Sequence, residues 1–334
     1  MLPRERVLRA IEFQTMDGVP YQVEFTTPAR EKMADYLKDP DFEKKIGNHL
    51  CSIKPVPASM YREVSPGFFE DDWKVVWNRT LDPDIGNPIP IMNEPHIQSL
   101  KVPDPVDPRR FLGMREFLSR NRETFNLLRM SRTLFERAWS LRGMENILSD
   151  MVVNPGFVDD LLDLITDFSR QLMEKGLEMD FDGVLFGDDY GWQQGVLMGP
   201  KLWRKFIKPR MAQLFSFVKS RNKKNFLHCC GKIQEILPDL VEIGLDGFNP
   251  FQPEVMDIFQ IKRQYQGKLS FWGGISIQRL LPFGTPQEVR KGVKRILQEI
   301  GRNGGYIASP SHALPKDIPV ENILALIETL QQQP

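Results

Sequence analysis

Asn225-Phe226-Leu227-His228-Cys229-Cys230-Gly231 is a short apolar run that ends in one of the chain's four histidines and two of its three cysteines. An amphipathic stretch from Lys232 to Ile243 follows, closed by Gly244, and a second short run spans Gly247 to Asn249. Strand, helix and strand in so short a span describe a βα unit, whose strands pair in parallel. Side chains alternate along a strand, so His228 and Cys230 are expected on one side and Cys229 on the other. Neutral imidazole and thiolate together suit zinc, and a site with three protein ligands leaves a fourth position open for chemistry. The competing reading of the same letters is a satisfied core histidine beside thiols packed as small hydrophobes.

The unit repeats outward from this stretch. Strand-like runs occur at Gly183 to Phe186, Leu269 to Trp272 and Gly305 to Ala308, and most are followed at once by Gly, Asp, Asn, Pro or Ser, which suit the turn into a loop. Helical spacing of apolar residues runs from Pro155 to Leu177 and again after Pro319, where Ile323, Leu326, Ile327 and Leu330 share a face. Thr285-Pro286-Gln287-Glu288 supplies an N-cap, a proline at the first helical position and a glutamate placed for a capping box. Val289, Val293, Ile296, Leu297 and Ile300 then form one apolar stripe before Gly301. Val19 to Phe25 and Phe125 to Met130 are further candidate strands, while Asp82 to Pro108, rich in Pro, Asp and Asn, is expected to be a long loop. No linker or internal repeat separates these units. The expected fold is a single α/β domain over residues 1–334, a (β/α)8 TIM barrel with an N-terminal elaboration; a doubly wound open sheet is the alternative.

Composition narrows the function. Lys+Arg and Asp+Glu both number 44 and the formal net charge is +0, so no general attraction to nucleic acid or anionic lipid is implied. Met1-Leu2-Pro3-Arg4-Glu5-Arg6 lacks the apolar core of a secretory signal and no later run approaches a membrane span, which predicts a cytoplasmic protein with reduced thiols.

In a parallel barrel the functional face lies at the C-terminal ends of the strands. Gly187-Asp188-Asp189-Tyr190-Gly191, His228-Cys229-Cys230, Asn249 and His312 all fall at such ends. Asp188 and Asp189 are candidates for a general base or for orienting a metal-bound imidazole, against the plainer alternative of an N-cap with a solvated neighbour. Tyr190, Gln193, Asn249 and Trp272 are candidates for contact with substrate. His312 is a candidate third ligand or acid–base group. Trp73 and Trp77 read as packing for the elaboration. Arg132, Arg137 and Arg142 fit either an anion site or salt bridges, and His49, His96 and Cys51 have no assignable partner.

Taken in order along nearly the whole chain, certain motifs resemble the uroporphyrinogen decarboxylase superfamily, which includes cobalamin-dependent methyltransferases. They begin with Arg4-Glu5-Arg6-Val7-Leu8, Asp17-Gly18-Val19-Pro20, Asp72-Trp73 and Gly187-Asp188-Asp189-Tyr190-Gly191-Trp192-Gln193. Pro200, Pro209, His228-Cys229-Cys230-Gly231, Gly244-Leu245-Asp246 and Trp272-Gly273-Gly274-Ile275 come next. Gly305-Tyr306-Ile307, His312 and Pro319-Val320-Glu321-Asn322-Ile323 close the series. The resemblance implies a (β/α)8 barrel and two possible activities. Decarboxylases of this kind hold the carboxylates of a porphyrinogen with the arginines of an Arg-Gln-Ala-Gly-Arg motif. Here the corresponding stretch is Val23-Glu24-Phe25-Thr26-Thr27-Pro28-Ala29-Arg30, and desolvating several carboxylates without cationic partners is costly. The methyltransferase branch implies zinc on a His-x-Cys pair and a distant cysteine, with a corrinoid supplied by a partner protein. His228 and Cys230 match the pair, and His312 stands near where the distant cysteine is absent. The expectation is therefore zinc at His228, Cys230 and His312, and methyl transfer from a small methoxylated or methylated donor to a corrinoid protein. Metal-free decarboxylation of a tetrapyrrole or related acid is the alternative, and a homodimer is implied by the superfamily's decarboxylases.

Overall fold

The computed structural model describes residues 1–57 and 61–333. In chain order its strands are β1 (Leu50–Ile53), β2 (Arg62–Ser65), β3 (Phe68–Glu70), β4 (Val76–Asn78), β5 (Asn87–Ile89) and β6 (Phe125–Ser131). The series continues with β7 (Gly183–Gly187), β8 (Lys224–His228), β9 (Gly247–Phe251), β10 (Ser270–Ile275) and β11 (Tyr306–Pro310). β1 and β6 to β11 form a parallel sheet whose neighbours follow chain order, and β2 to β5 form a separate antiparallel sheet.

The expected eight-stranded barrel is observed as a curled sheet of seven parallel strands. Residues 19–25, expected as a strand, lie between its two edges. Tyr21 bridges in parallel to Ala308 and Phe25 to Leu314, and on the other side the His49 N–H donates to the Tyr21 carbonyl at 3.0 Å. A regular ladder fails here for identifiable reasons. Pro20 has no N–H to give, and side chains take the next donors: Tyr21 N–H donates to His49 Nδ1 at 3.0 Å and Val23 N–H to Asn48 Oδ1 at 2.8 Å.

The inner face of the sheet follows from period-two alternation. Leu50, Phe125, Leu127, Leu185, Phe226, Trp272 and Ile307 fill the interior, and Val7 and Ile11 of the first helix (Pro3–Ile11) join them from the end that carries the strand N-termini. The outer faces pack against the helices in a second, larger core. Each fully buried Leu, Ile or Phe contributes about 1.5–3 kcal/mol of transfer free energy. The capping box of Thr285 and Glu288 opens the helix Pro286–Glu299 as expected. The stretch after Gly231 is a short 3₁₀ turn (Gln234–Ile236) and a short helix (Leu237–Glu242), because Pro238 restarts the backbone at its first turn.

The elaboration between β1 and β6 carries the antiparallel sheet, and β5 lies inside the stretch expected to be only loop. Trp73 and Trp77 are buried as anticipated. Trp73 meets Phe168 edge-on at 4.9 Å, and Trp77 Nε1 donates to Asp71 at 3.1 Å. Among the described residues no helix is long and apolar enough to cross a membrane.

Candidate metal centre

The register of the sheet builds the site. Gly187, His228 and Asn249 lie level on β7, β8 and β9, so each loop that follows starts from the same height. β8 stops at His228, and the thiol of Cys230 is placed by the turn beyond the strand rather than by the pleat. Gly231 adopts φ +87° and lies backbone to backbone against Gly191: a Cβ on Gly231 would meet the Gly191 carbonyl carbon at 2.4 Å. That contact, with the Lys232 N–H donating to the Trp192 carbonyl at 2.8 Å, clasps the two loops together.

His228, Cys230 and His312 converge. Their ligand atoms all lie within 4.8 Å of one another, and Cys230 Sγ is 3.6 Å from His228 Nε2. A tetrahedral zinc with bonds of about 2.3 Å to sulfur and about 2.05 Å to nitrogen would set that edge at about 3.6 Å. The two imidazole rings meet edge-on with centroids 5.7 Å apart. The donor set therefore fits zinc.

Asn249 fixes which nitrogen is offered. Its Nδ2 donates to the Trp272 carbonyl at 3.0 Å, which turns its Oδ1 toward His228 Nδ1 at 2.6 Å. That oxygen can only accept, so His228 carries its proton on Nδ1 and Nε2 keeps a free lone pair beside Cys230. Burial, with the charges of Arg129 and His312, lowers the His228 pKa to about 4, so the ring is neutral at physiological pH. Burial and the carboxylates of Asp189 and Glu136 push the Cys230 thiol well up. A thiol so placed ionises readily only beside a cation.

The paired aspartates separate by role. Asp188 is fully buried, and its carboxylate accepts the N–H groups of Leu134 (3.1 Å), Phe135 (2.9 Å) and Glu136 (2.7 Å). These open the helix Phe135–Arg142, which has no side-chain cap of its own. Asp188 is thus a cap supplied from another strand, the plainer of the two sequence alternatives. Burial raises its pKa to about 7 in spite of those donors. Asp189 accepts the Cys230 N–H at 2.7 Å and pins the ligand loop. Tyr190 lies in the core, edge-on to Trp203 at 5.9 Å, away from the recess. Gln193 is exposed on its loop.

His228, His312, Asn249 and Trp272 line a recess of about 60 Å³ together with Gln22, Glu24, Arg129 and Ser309. Arg129 pairs with Glu24 at 3.5 Å, and Ser309 donates to Gln22 at 3.1 Å. Sequence reading missed Arg129 and Glu24. For Arg129 a signal existed, since Phe125, Leu127 and Arg129 alternate on one strand face and the first two are core. It missed Glu136 as well, whose carboxyl is pushed well above the usual range by burial and by Asp189 and Asp188. Arg137 and Arg142 form the anticipated salt bridges, to Asp71 and Asp150, each at 2.8 Å. His49, without a partner in the sequence, accepts from Tyr21 and touches Arg6 Nη1 at 2.9 Å.

Comparison with known proteins agrees with this architecture. A methylcobamide:CoM methyltransferase of Methanosarcina barkeri is 25% identical over 169 residues, covering 51% of this chain and 47% of its own. A methylated-thiol–coenzyme M methyltransferase of Methanosarcina mazei is 21% identical over 204 residues, 60% of this chain and 51% of its own. A uroporphyrinogen decarboxylase of Coxiella burnetii is 22% identical over 180 residues, 53% and 48% respectively. The chain spans about half the length of these curated relatives. The solved structure of a methyltransferase from Methanosarcina mazei superposes with a TM-score of 0.77 at 17% identity, covering 99% of both chains, and so shares the fold. The family model of uroporphyrinogen decarboxylase matches residues 74–333. The chain belongs to the uroporphyrinogen decarboxylase family.

Proposed function

We propose that this protein is a zinc-assisted methyltransferase that passes a methyl group from a small methoxylated or methylated donor to a corrinoid carried by a separate protein. The observation that carries the reading is the convergence of His228, Cys230 and His312 within 4.8 Å, with Asn249 holding the His228 lone pair toward Cys230. The extended segment 19–25 is read as the eighth stave of the barrel, which places Glu24 and Gln22 on the recess wall.

Bound zinc would act there as a Lewis acid on the donor heteroatom; one thiolate and two neutral imidazoles leave it a net positive charge. The remaining work falls to the chain. Asp189 holds the Cys230 loop through its backbone N–H. Loss of a methyl group leaves an anionic heteroatom that needs a proton, and Glu136 is a carboxyl whose hold on its proton is strengthened by burial and by the charges of Asp189 and Asp188. The Arg129–Glu24 pair orders the recess wall.

The stretch that holds the decarboxylases' arginines favours this reading over decarboxylation of a tetrapyrrole. Arg30, in the stretch where decarboxylases carry paired arginines, pairs with Glu43 at the surface at 2.8 Å. The test is methyl transfer from a panel of small methoxylated compounds to cob(I)alamin, followed by the absorbance of methylcobalamin, beside incubation with uroporphyrinogen. Zinc-dependent methylcobalamin formation supports the proposal. Full activity in metal-free protein, or release of coproporphyrinogen, overturns it.

A further inference from the structure

Four cations come together from separate elements, Lys54 after β1, Arg79 after β4, Arg129 on β6 and Arg132 just past it, and Arg129 lines the recess. Arg132 donates to the Tyr61 hydroxyl at 2.5 Å while Arg79 lies over the face of the same ring at 4.4 Å. Arg132 also covers Trp77 at 4.2 Å. β1 pairs in parallel with β6, Ile53 beside Leu128, so Lys54 follows at the level of Arg129, and the charges of Arg132, Arg129 and Arg79 all reach its ammonium. Glu24, 3.5 Å from Arg129, is their one carboxylate ion-pair partner among the described residues. Glu136 also faces Arg132, and burial with the charges of Asp189 and Asp188 raises its pKa. The Nε atoms of Arg79 and Arg132 are buried without a hydrogen-bond partner.

Like charges held together without counter-charge destabilise a fold, and unused guanidinium donors in a partly enclosed site match the oxygens of an anion. We propose that Lys54, Arg79, Arg129 and Arg132 form an anion subsite continuous with the recess lined by His228 and His312. The substrate is then a small organic anion, its acidic head on the cations and its methyl-bearing end toward the metal ligands. This rests on the reading of the recess as the substrate site. Arg129 joins the two parts, since it lines the recess with His228 and His312. A single cluster on one side suits one acidic head.

The test is calorimetric titration of chelator-treated full-length protein with methoxyacetate, with methoxyethanol as its neutral counterpart and inorganic sulfate as a bare anion. Saturable binding of methoxyacetate and sulfate but not methoxyethanol is expected, with affinity weakened about tenfold in Lys54→Met and in Arg132→Met. Arg132→Lys should fall between, and Arg295→Met, on a distant helix, should match wild type. Lys54 is exposed, so Lys54→Met is expected to fold even where Arg132→Met does not. In low salt Lys54→Met should melt no lower than wild type, and sulfate should raise the wild-type Tm more than the variant's. No saturable anion binding by wild type, or unchanged affinity in Lys54→Met, overturns the proposal. Because the protein is metal-free, failure of the zinc reading leaves this result intact, and failure here leaves the zinc reading intact.

Discussion

At the scale of single residues, Asn249 shows how a neighbour can orient a candidate metal-binding histidine. Its amide is held by the Trp272 carbonyl and in turn fixes the His228 tautomer. Asn249→Leu should keep the fold and lower zinc affinity by roughly 10–100-fold, the usual cost of losing an outer partner, measured by competition with a chromophoric chelator. Asp188 predicts a different signature. Asp188→Ala leaves three N–H groups at a helix start without their acceptor, and urea unfolding should report a loss of about 3 kcal/mol or more. His49 predicts pH dependence. Burial and Arg6 lower its pKa to about 4, against about 6.5 in an unfolded chain. Between those values the unfolded state binds the proton first. The stabilisation is complete above about pH 6.5 and lost as pH falls toward 4, by on the order of 2–3 kcal/mol. A His49→Gln variant should show a shallower loss of stability over the same range.

At the scale of elements, the site depends on two loops clasped through glycine. Gly231→Ala meets both an unfavourable φ and the Gly191 backbone. It should cost about 2 kcal/mol or more and weaken zinc binding by moving Cys230, while Gly195→Ala, in open space, should do neither. The same loops mark where sequence reading works and where it stops. Strand alternation separated Cys229 from His228, and Cys229, the first residue past β8, is fully buried. Past the strand end alternation carries no information, so Tyr190 and Gln193, placed beside substrate from sequence, lie in the core and on the exposed loop. Asn249 could be named as lying at a strand end. Its partnership with His228 depends on the β8–β9 register, which the periodicity of neither strand encodes. The cations of the anion subsite come from four places in the chain and meet only in the fold.

At the scale of the whole molecule, seven parallel strands in chain order and an irregular segment between their edges bring β8 and the loop after β11 close enough for His228 to meet His312. The βα alternation made this class of fold readable, whereas the side-chain hydrogen bonds that interrupt the segment around Tyr21 left no periodic trace. The relatives include both methyltransferases and uroporphyrinogen decarboxylases, and in the proposed function it is the His228–Cys230–His312 cluster that favours methyl transfer. The most direct measurement is the metal content of purified protein after zinc loading and dialysis, for wild type, Cys230→Ser and His312→Ala, with thermal melting as the check of folding. Stoichiometric zinc in wild type, falling to background in folded variants, is the predicted result. Wild-type protein that retains no zinc, or variants that retain as much as wild type, would contradict the assignment.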